Sequence, residues 1–189
     1  MKRILFSSII LGLLTLGLVS CEPSSIDTKK SATEPYFPEP CLAWGSNMEM
    51  VKSQMLSLGY ILYDVDDDER MVFVYNDFGC ECYFENGLYV LAEFEGLNAE
   101  VGQNIDNNYK KSCTSLFVID KDDDYWEFFE TKDGKTYISI EYDPSGYHTS
   151  SLAYVSKYSP LGKEFYEGVK DYFEEVNDKN NPDSDPDAE

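Results

Sequence analysis

A helix pattern followed by several strand patterns occurs twice in this chain, and this repeat limits the possible folds more than any other feature. The first pattern repeats apolar residues at spacings of three and four, which predicts a helix with one apolar face. Those residues are Met48, Val51, Met55 and Leu58. Ser46 and Glu49 form a capping-box signature that predicts the start of this helix, and Gly59 predicts its end.

An antiparallel meander is predicted directly after this helix. Four short segments are rich in β-branched and aromatic residues, which favours strands at 60–63, 71–75, 82–84 and 88–94. Asn86-Gly87 separates the last two segments and is the strongest short signal for a hairpin. The first pattern is therefore a helix followed by strands that turn back on one another.

The same order returns in the second half of the chain. Asn98 predicts the cap of a second helix, whose apolar residues are Val101, Ile105 and Tyr109. Strands are predicted at 116–119, 125–129, 137–142 and 147–154. The same offset aligns Asp64 with Asp120 and Phe73 with Phe129 in the middles of the two units, which indicates a duplicated unit whose last hairpin is longer in the second copy. The alternative is a chance agreement that the many aspartates favour.

These patterns predict an α+β fold. A helix with one meander cannot bury its sheet face alone, so we expect two tandem helix-plus-antiparallel-meander units that share a core. The helices are expected on one side of the sheet. Ser159-Pro160 and the apolar stripe of residues 161–176 predict a C-terminal helix that packs on the domain. The alternative for this helix is a partner-binding role.

The N-terminal residues have the features of a targeting segment. Lys2 and Arg3 precede an apolar run that ends in Leu18-Val19-Ser20-Cys21, which resembles the lipobox of bacterial lipoproteins. The resemblance implies that residues 1–20 are a signal peptide, cleaved before Cys21, and that lipid is attached to the Cys21 thiol. The alternative is an ordinary secretory signal in which the cysteine is accidental.

The remaining boundaries and the location follow from this assignment. Residues 21–35 are expected to be a flexible tether, 36–176 the folded domain, and 177–189 a disordered acidic tail. The resemblance implies a cell-envelope protein held by its lipid anchor at the outer membrane, facing either the periplasm or the cell surface. A formal net charge of −21 would repel a nucleic-acid backbone, so no nucleic-acid partner is expected.

Four cysteines remain if Cys21 carries lipid. They are Cys41, Cys80, Cys82 and Cys113. The oxidising envelope and the even number favour at least one disulfide, although buried free thiols are the alternative. Cys80 and Cys82 would point to one face of a strand and are poorly placed to bond each other, so three connectivities stay open. His148 is the only histidine, which argues against a catalytic thiol or a zinc site.

Two acidic runs at residues 64–69 and 120–124 begin like calcium-binding loops. Both lack the glycine at the sixth position and the glutamate at the twelfth, so they are interpreted as polar turns between strands. Weak Ca²⁺ binding is the alternative. No cofactor is expected, because no phosphate loop, dinucleotide fingerprint or nucleophile-elbow motif occurs in the sequence.

The segment Pro40–Ser46, the helix after it and the tyrosine-rich meander resemble a group of uncharacterised lipoproteins from gut Bacteroidetes. The tandem unit is similar to the fold of β-lactamase inhibitor proteins. The resemblance implies a non-catalytic module that binds a protein or glycan partner through its sheet face or loops. Two alternatives stay open. One is an envelope enzyme or glycan-processing accessory with an unrecognised carboxylate site, and the other is a calcium-stabilised module.

Overall fold

The computed structural model describes residues 39–66, 69–121, 124–142 and 149–179 of the chain. The expected signal peptide, the lipidated Cys21 and the tether at 21–35 lie outside these residues, as does the tail from residue 180. Among the described residues, no helix combines the length and the apolar character needed to cross a membrane.

Three helices and eight strands follow one another in the described part of the chain. They are α1 (Met48–Ser57), β1 (Ile61–Asp66), β2 (Arg70–Tyr75), β3 (Phe78–Glu85), β4 (Leu88–Asn98), α2 (Ala99–Ser112), β5 (Thr114–Lys121), β6 (Asp124–Glu130), β7 (Thr136–Tyr142), β8 (Thr149–Ser156) and α3 (Pro160–Lys179). The predicted α+β class with a C-terminal helix is confirmed. Helix α3 continues to Lys179, beyond the expected domain end at Val176.

All eight strands form one antiparallel sheet. Their order is β1-β2-β3-β4-β8-β7-β6-β5, so β4 and β8 are neighbours in the centre while β1 and β5 are the two edges. The Asn86-Gly87 hairpin is confirmed, because both residues have the positive φ angles, 53° and 74°, that a tight turn between twisted strands requires.

Helix α1 starts one residue later than the capping box predicts. The N-cap is Asn47, whose side chain accepts a hydrogen bond of 3.0 Å from the Met50 amide. The prediction of Ser46 as the cap is wrong, because the Ser46 backbone is bonded elsewhere: its carbonyl accepts from the Tyr89 amide at 2.9 Å. Gly59 ends the helix with a φ of +91°, as predicted.

The main core lies between one sheet face and the first two helices. It contains buried residues of both helices and of strands from both ends of the sheet. Its members include Val51, Met55, Met71, Phe73, Phe94, Val101, Phe129, Ile138, Ile140, Leu152 and Tyr154. One continuous apolar cluster therefore holds the two runs of strands together.

Helix α3 packs on the opposite face of the sheet. Phe128 contacts Phe165 of α3, with ring centroids 6.1 Å apart, whereas the adjacent Phe129 contacts Tyr109 of α2 at 5.9 Å. Neighbouring residues of a strand point to opposite faces. The expectation that the helices lie on one side is therefore wrong for α3, because β6 is apolar on both of its faces.

Candidate functional site

Helix α3 covers only part of the second sheet face. Its ring contacts are with Phe117, Trp126, Phe128 and Tyr137, which belong to β5, β6 and β7. On β2, β3 and β4 the same face carries half-buried side chains, while the alternate residues are buried in the main core. We call this surface the open face. It consists of Arg70, Val72, Val74, Glu81, Tyr83, Leu91, Glu93 and Glu95.

Two glutamates stand directly opposite each other at the centre of the open face. Glu81 of β3 pairs in register with Glu93 of β4. Such residues have Cβ atoms about 5 Å apart, so their carboxyl groups are neighbours. Glu81 is held by two donors: Arg70 Nη1 at 3.0 Å and the Tyr83 hydroxyl at 2.6 Å. Burial and the neighbouring Glu81 raise the pKa of Tyr83, so it stays a phenol and keeps donating.

Glu93 has a different environment from Glu81. Burial, with the repulsion of Glu95 and Glu81, raises the pKa of Glu93 to about 7. No cation pairs with Glu93 in the part of the chain that the structure describes. The open face therefore carries one carboxyl group bound by Arg70 and, beside it, Glu93, which readily gains or loses a proton near neutral pH.

The edge strand β1 carries exposed apolar side chains on both of its faces: Ile61 pairs with Val74 of the open face, whereas Val65 pairs with Met71 of the core face. Ile61 is 70% exposed, Tyr63 is 78% exposed and Val65 is 48% exposed. Tyr63 is the exposed tyrosine of this edge strand. Large exposed apolar groups that lie together are typical of interaction surfaces.

A second charged cluster lies beneath α2 and was missed by the sequence analysis. Lys110 Nζ is 2.8 Å from Asp106 Oδ2 and 2.9 Å from Glu127 Oε2. The carboxylates are almost completely buried, with 1% and 2% of their side-chain areas exposed. Two signals could have indicated it: the four-residue spacing of Asp106 and Lys110, and an acid at an inward position of β6.

The environments of the two buried carboxyl groups differ. Burial raises the pKa of Asp106, against the lowering effect of its hydrogen bond with Lys110. Burial would also raise the pKa of Glu127, but hydrogen bonds from Tyr125, Lys110 and Ser115 lower it overall. Because these groups are closed off from solvent by α2, they stabilise the packing of the helix and offer no access to a substrate.

The four cysteines are free thiols in the structure. Cys41, Cys80 and Cys82 are buried in the main core, and Cys113 is partly exposed. Burial raises the pKa values of the Cys41, Cys80 and Cys113 thiols, which keeps them protonated and poorly nucleophilic. Cys41 donates a hydrogen bond of 2.5 Å to Gln54. A disulfide among the four stays a prediction.

A groove of about 410 Å³ lies between the end of α2 and the turn from β6 to β7. Three of its lining side chains, Glu39, Tyr109 and Thr136, are hydrogen-bonded within the protein. The Tyr109 hydroxyl is 2.5 Å from that of Tyr154 and donates to Glu39 at 3.1 Å. Trp44 donates to Thr136 at 2.8 Å. The groove does not contain the Glu81–Glu93 pair.

In the acidic runs, the described residues 64–66, 120–121 and 124 are strand residues at the ends of β1, β5 and β6, and Glu69 lies in the turn before β2. The first run joins β1 to β2, where the Asp64 and Asp66 carboxylates lie 4.0 and 3.8 Å from Arg70. Residues 67–68 and 122–123 are outside the described residues. Within the described ranges, no group of three or more His, Cys, Asp or Glu side chains could hold a metal ion.

Comparison with known proteins identifies no relative of this chain. No protein-family model, curated protein or solved structure matches it. The function must therefore be inferred from the residues of the open face and its edge.

Proposed function

We propose that this chain is a lipid-anchored protein of the cell envelope that binds a protein or glycan partner without catalysing a reaction. One observation carries the binding role: α3 covers the second sheet face over β5 to β7, while the open face over β2 to β4 stays accessible. Half-exposed Val72, Val74 and Leu91 surround polar groups there, which is the composition of a contact surface.

The anchor is the second part of the proposal. Its support is the basic start, the apolar run and the cysteine that follows it at position 21. Acyl chains on Cys21 would hold the domain at the outer membrane, and the high negative charge would keep it from lying on anionic lipid. The open face would then be presented to the aqueous phase of the envelope.

We also infer that the two halves of the domain are tandem copies of one unit. A helix and four strands are followed by a helix and four strands, and the sheet order places the last strands of both runs side by side. The similarity to the fold of β-lactamase inhibitor proteins rests on this order. A duplicated scaffold of that kind favours binding over catalysis by analogy.

Site-specific photo-crosslinking in intact cells tests the binding role. A photo-reactive phenylalanine analogue at Val74 lies on the open face, and the same analogue at Met50 lies on exposed α1 on the other side of the sheet. We expect a discrete crosslinked species from position 74 and none from position 50. Equal crosslinking from both positions, or none from position 74, would contradict the proposal.

The anchor is tested separately in the same cells. Cys21→Ser should abolish metabolic labelling with fatty acid and leave the precursor uncleaved, because no other residue fits the lipobox. Labelling that persists in this variant would refute the anchor. Protease treatment of intact cells then distinguishes a surface-facing domain, which is degraded, from a periplasmic one, which is protected.

The Glu81–Glu93 pair supports one alternative function, an envelope enzyme that acts on glycans. Two neighbouring carboxyl groups, one that exchanges a proton near neutral pH and one held by Arg70, are the parts that glycoside hydrolysis uses. Under this alternative, the wild type releases reducing sugar from envelope polysaccharide, and both Glu81→Gln and Glu93→Gln abolish the release. The binding role predicts no release from the wild type.

A further inference from the structure

Strand β1 has an unpaired outer edge. It is the terminal strand of the sheet and pairs with β2, so its other side has no strand beside it among the described residues. Backbone N–H and C=O groups on such an edge can pair with another extended chain, and proteins usually protect long apolar edges. Strand β1 exposes Ile61, Tyr63 and Val65 at this edge.

The end of α1 enlarges the apolar surface of this edge. Leu56 is 46% exposed and Leu58 is 39% exposed, and both precede β1 directly in the chain. At the opposite edge of the sheet, Val118 is the large apolar residue of β5 that is exposed. The exposed apolar groups are therefore concentrated at the β1 edge, as expected for a site that buries them against a partner.

The charges beside these apolar groups indicate the chemistry of that partner. The side chains of Asp64 and Asp66 are 56% and 67% exposed on β1. Arg70 lies near both, but its closest contact, at 3.0 Å, is with Glu81. Arg70 is therefore the shared cation of the Asp64, Asp66 and Glu81 carboxylates. The edge has an excess of negative charge, which a cationic chain would complement.

A second copy of this chain fits the edge poorly. It would bring its own Asp64 and Asp66 against the same residues and would join two chains of formal charge −21. The β-bulge between Leu62 and Asp64 also interrupts the register with β2, and such bulges limit indiscriminate edge pairing. Tyr63 lies at this bulge, where its ring is available as an aromatic contact.

We propose that β1 binds an extended segment of a partner protein as an added strand, and that this segment alternates apolar residues with Lys or Arg. The added backbone bonds to the free edge, its apolar residues cover Val65 on the core side of the sheet, and its cationic residues meet Asp64 and Asp66 on the side of the open face. This proposal rests on the proposed binding function and assigns it a partner class and a site next to the open face.

Hydrogen exchange of the purified full chain in detergent tests the proposal with defined probes. The first probe is a short synthetic peptide that alternates valine and lysine. The second alternates valine and glutamate. The third repeats the first sequence with an N-methyl group on every residue, which removes the backbone donors of both strand edges. We expect the first peptide to slow exchange in residues 61–66 about tenfold and the other two to have no effect.

Matched variants separate the edge from general electrostatic attraction. Asp64→Asn combined with Asp66→Asn should weaken the protection by the valine–lysine peptide about fivefold or more. Asp133→Asn, which removes an exposed acid at a distant turn, should not change it. Protection by the N-methylated peptide, equal protection of β5, or a dimer of the chain without peptide would each overturn the proposal.

The failure of this proposal can be distinguished from the failure of the binding function. If position 74 crosslinks to a partner in cells and the valine–lysine peptide leaves β1 exchange unchanged, strand addition is wrong and binding by the open face stands. If the peptide protects β1 and position 74 captures nothing, the open face is not the contact surface.

Discussion

Gly162 in the first turn of α3 should not tolerate a side chain. A Cβ atom at this position would lie 1.9 Å from the Ser156 carbonyl oxygen and 2.8 Å from its carbonyl carbon. These are backbone atoms of the chain that leads into the helix, so no side-chain rotation relieves the clash. The start of α3 must move until the first distance reaches about 3.4 Å, the lower bound of ordinary contact.

The size of the effect can be worked out from three contributions. Forcing a methyl group into a packed site costs about 1–3 kcal/mol. The shift also weakens the cap, in which Ser159 Oγ accepts from the Gly162 amide at 2.9 Å, and this costs about 1 kcal/mol. The better helix propensity of alanine returns up to about 1 kcal/mol. We therefore expect Gly162→Ala to lower the free energy of unfolding by about 2 kcal/mol.

Gly168 provides a matched control in the same helix. A Cβ at Gly168 would have no atom within 4 Å, so Gly168→Ala should raise the free energy of unfolding by about 0.5–1 kcal/mol through propensity alone. Urea unfolding of both variants, followed by circular dichroism, measures the midpoints at a constant m-value. Equal stability of Gly162→Ala and wild type, or shifts of the same sign in both variants, would refute the docking geometry of α3.

Two further predictions concern the charged groups. The fold raises the pKa of Glu93 from 4.5 to about 7, so ionisation of Glu93 destabilises the native state as the pH rises through that range. Glu93→Gln removes this ionisation. It should therefore increase the free energy of unfolding by about 1–3 kcal/mol at pH 8 and leave it unchanged near pH 4. Equal effects at both pH values in urea titrations would contradict this. Lys110→Met leaves Asp106 and Glu127 without their lysine and should lower the free energy of unfolding by about 3 kcal/mol at pH 7. An unchanged urea midpoint in this variant would show that the cluster does not stabilise the fold.

Several elements of the fold were predictable because their signals are local. Gly59 ends α1 and Asn86-Gly87 forms the hairpin turn, since both depend on backbone conformations that few residues adopt. The Ser159 cap of α3 is equally local, because its hydroxyl bonds an amide three residues away. The α+β class followed from the order of such elements along the chain.

The candidate site was not predictable in the same way. Thirty-six acidic residues occur in the chain, and no local pattern selects Glu81 and Glu93 from among them. They are neighbours because the register of β3 against β4 places them opposite each other, and that register is decided by which residues reach the core. The cluster of Asp106, Lys110 and Glu127 likewise depends on where α2 packs against β6.

The sequence by itself determined which segments are helices and strands and where tight turns join them, because these preferences act over a few residues. Tertiary packing decided which residue caps α1, because the Tyr89 amide donates a hydrogen bond to the Ser46 carbonyl. It also decided the side of the sheet on which α3 lies. Among the described residues, it also left the open face uncovered and β1 at an edge of the sheet. Those outcomes depend on contacts between residues far apart in the chain, whose free energies compete only once the whole sheet has formed.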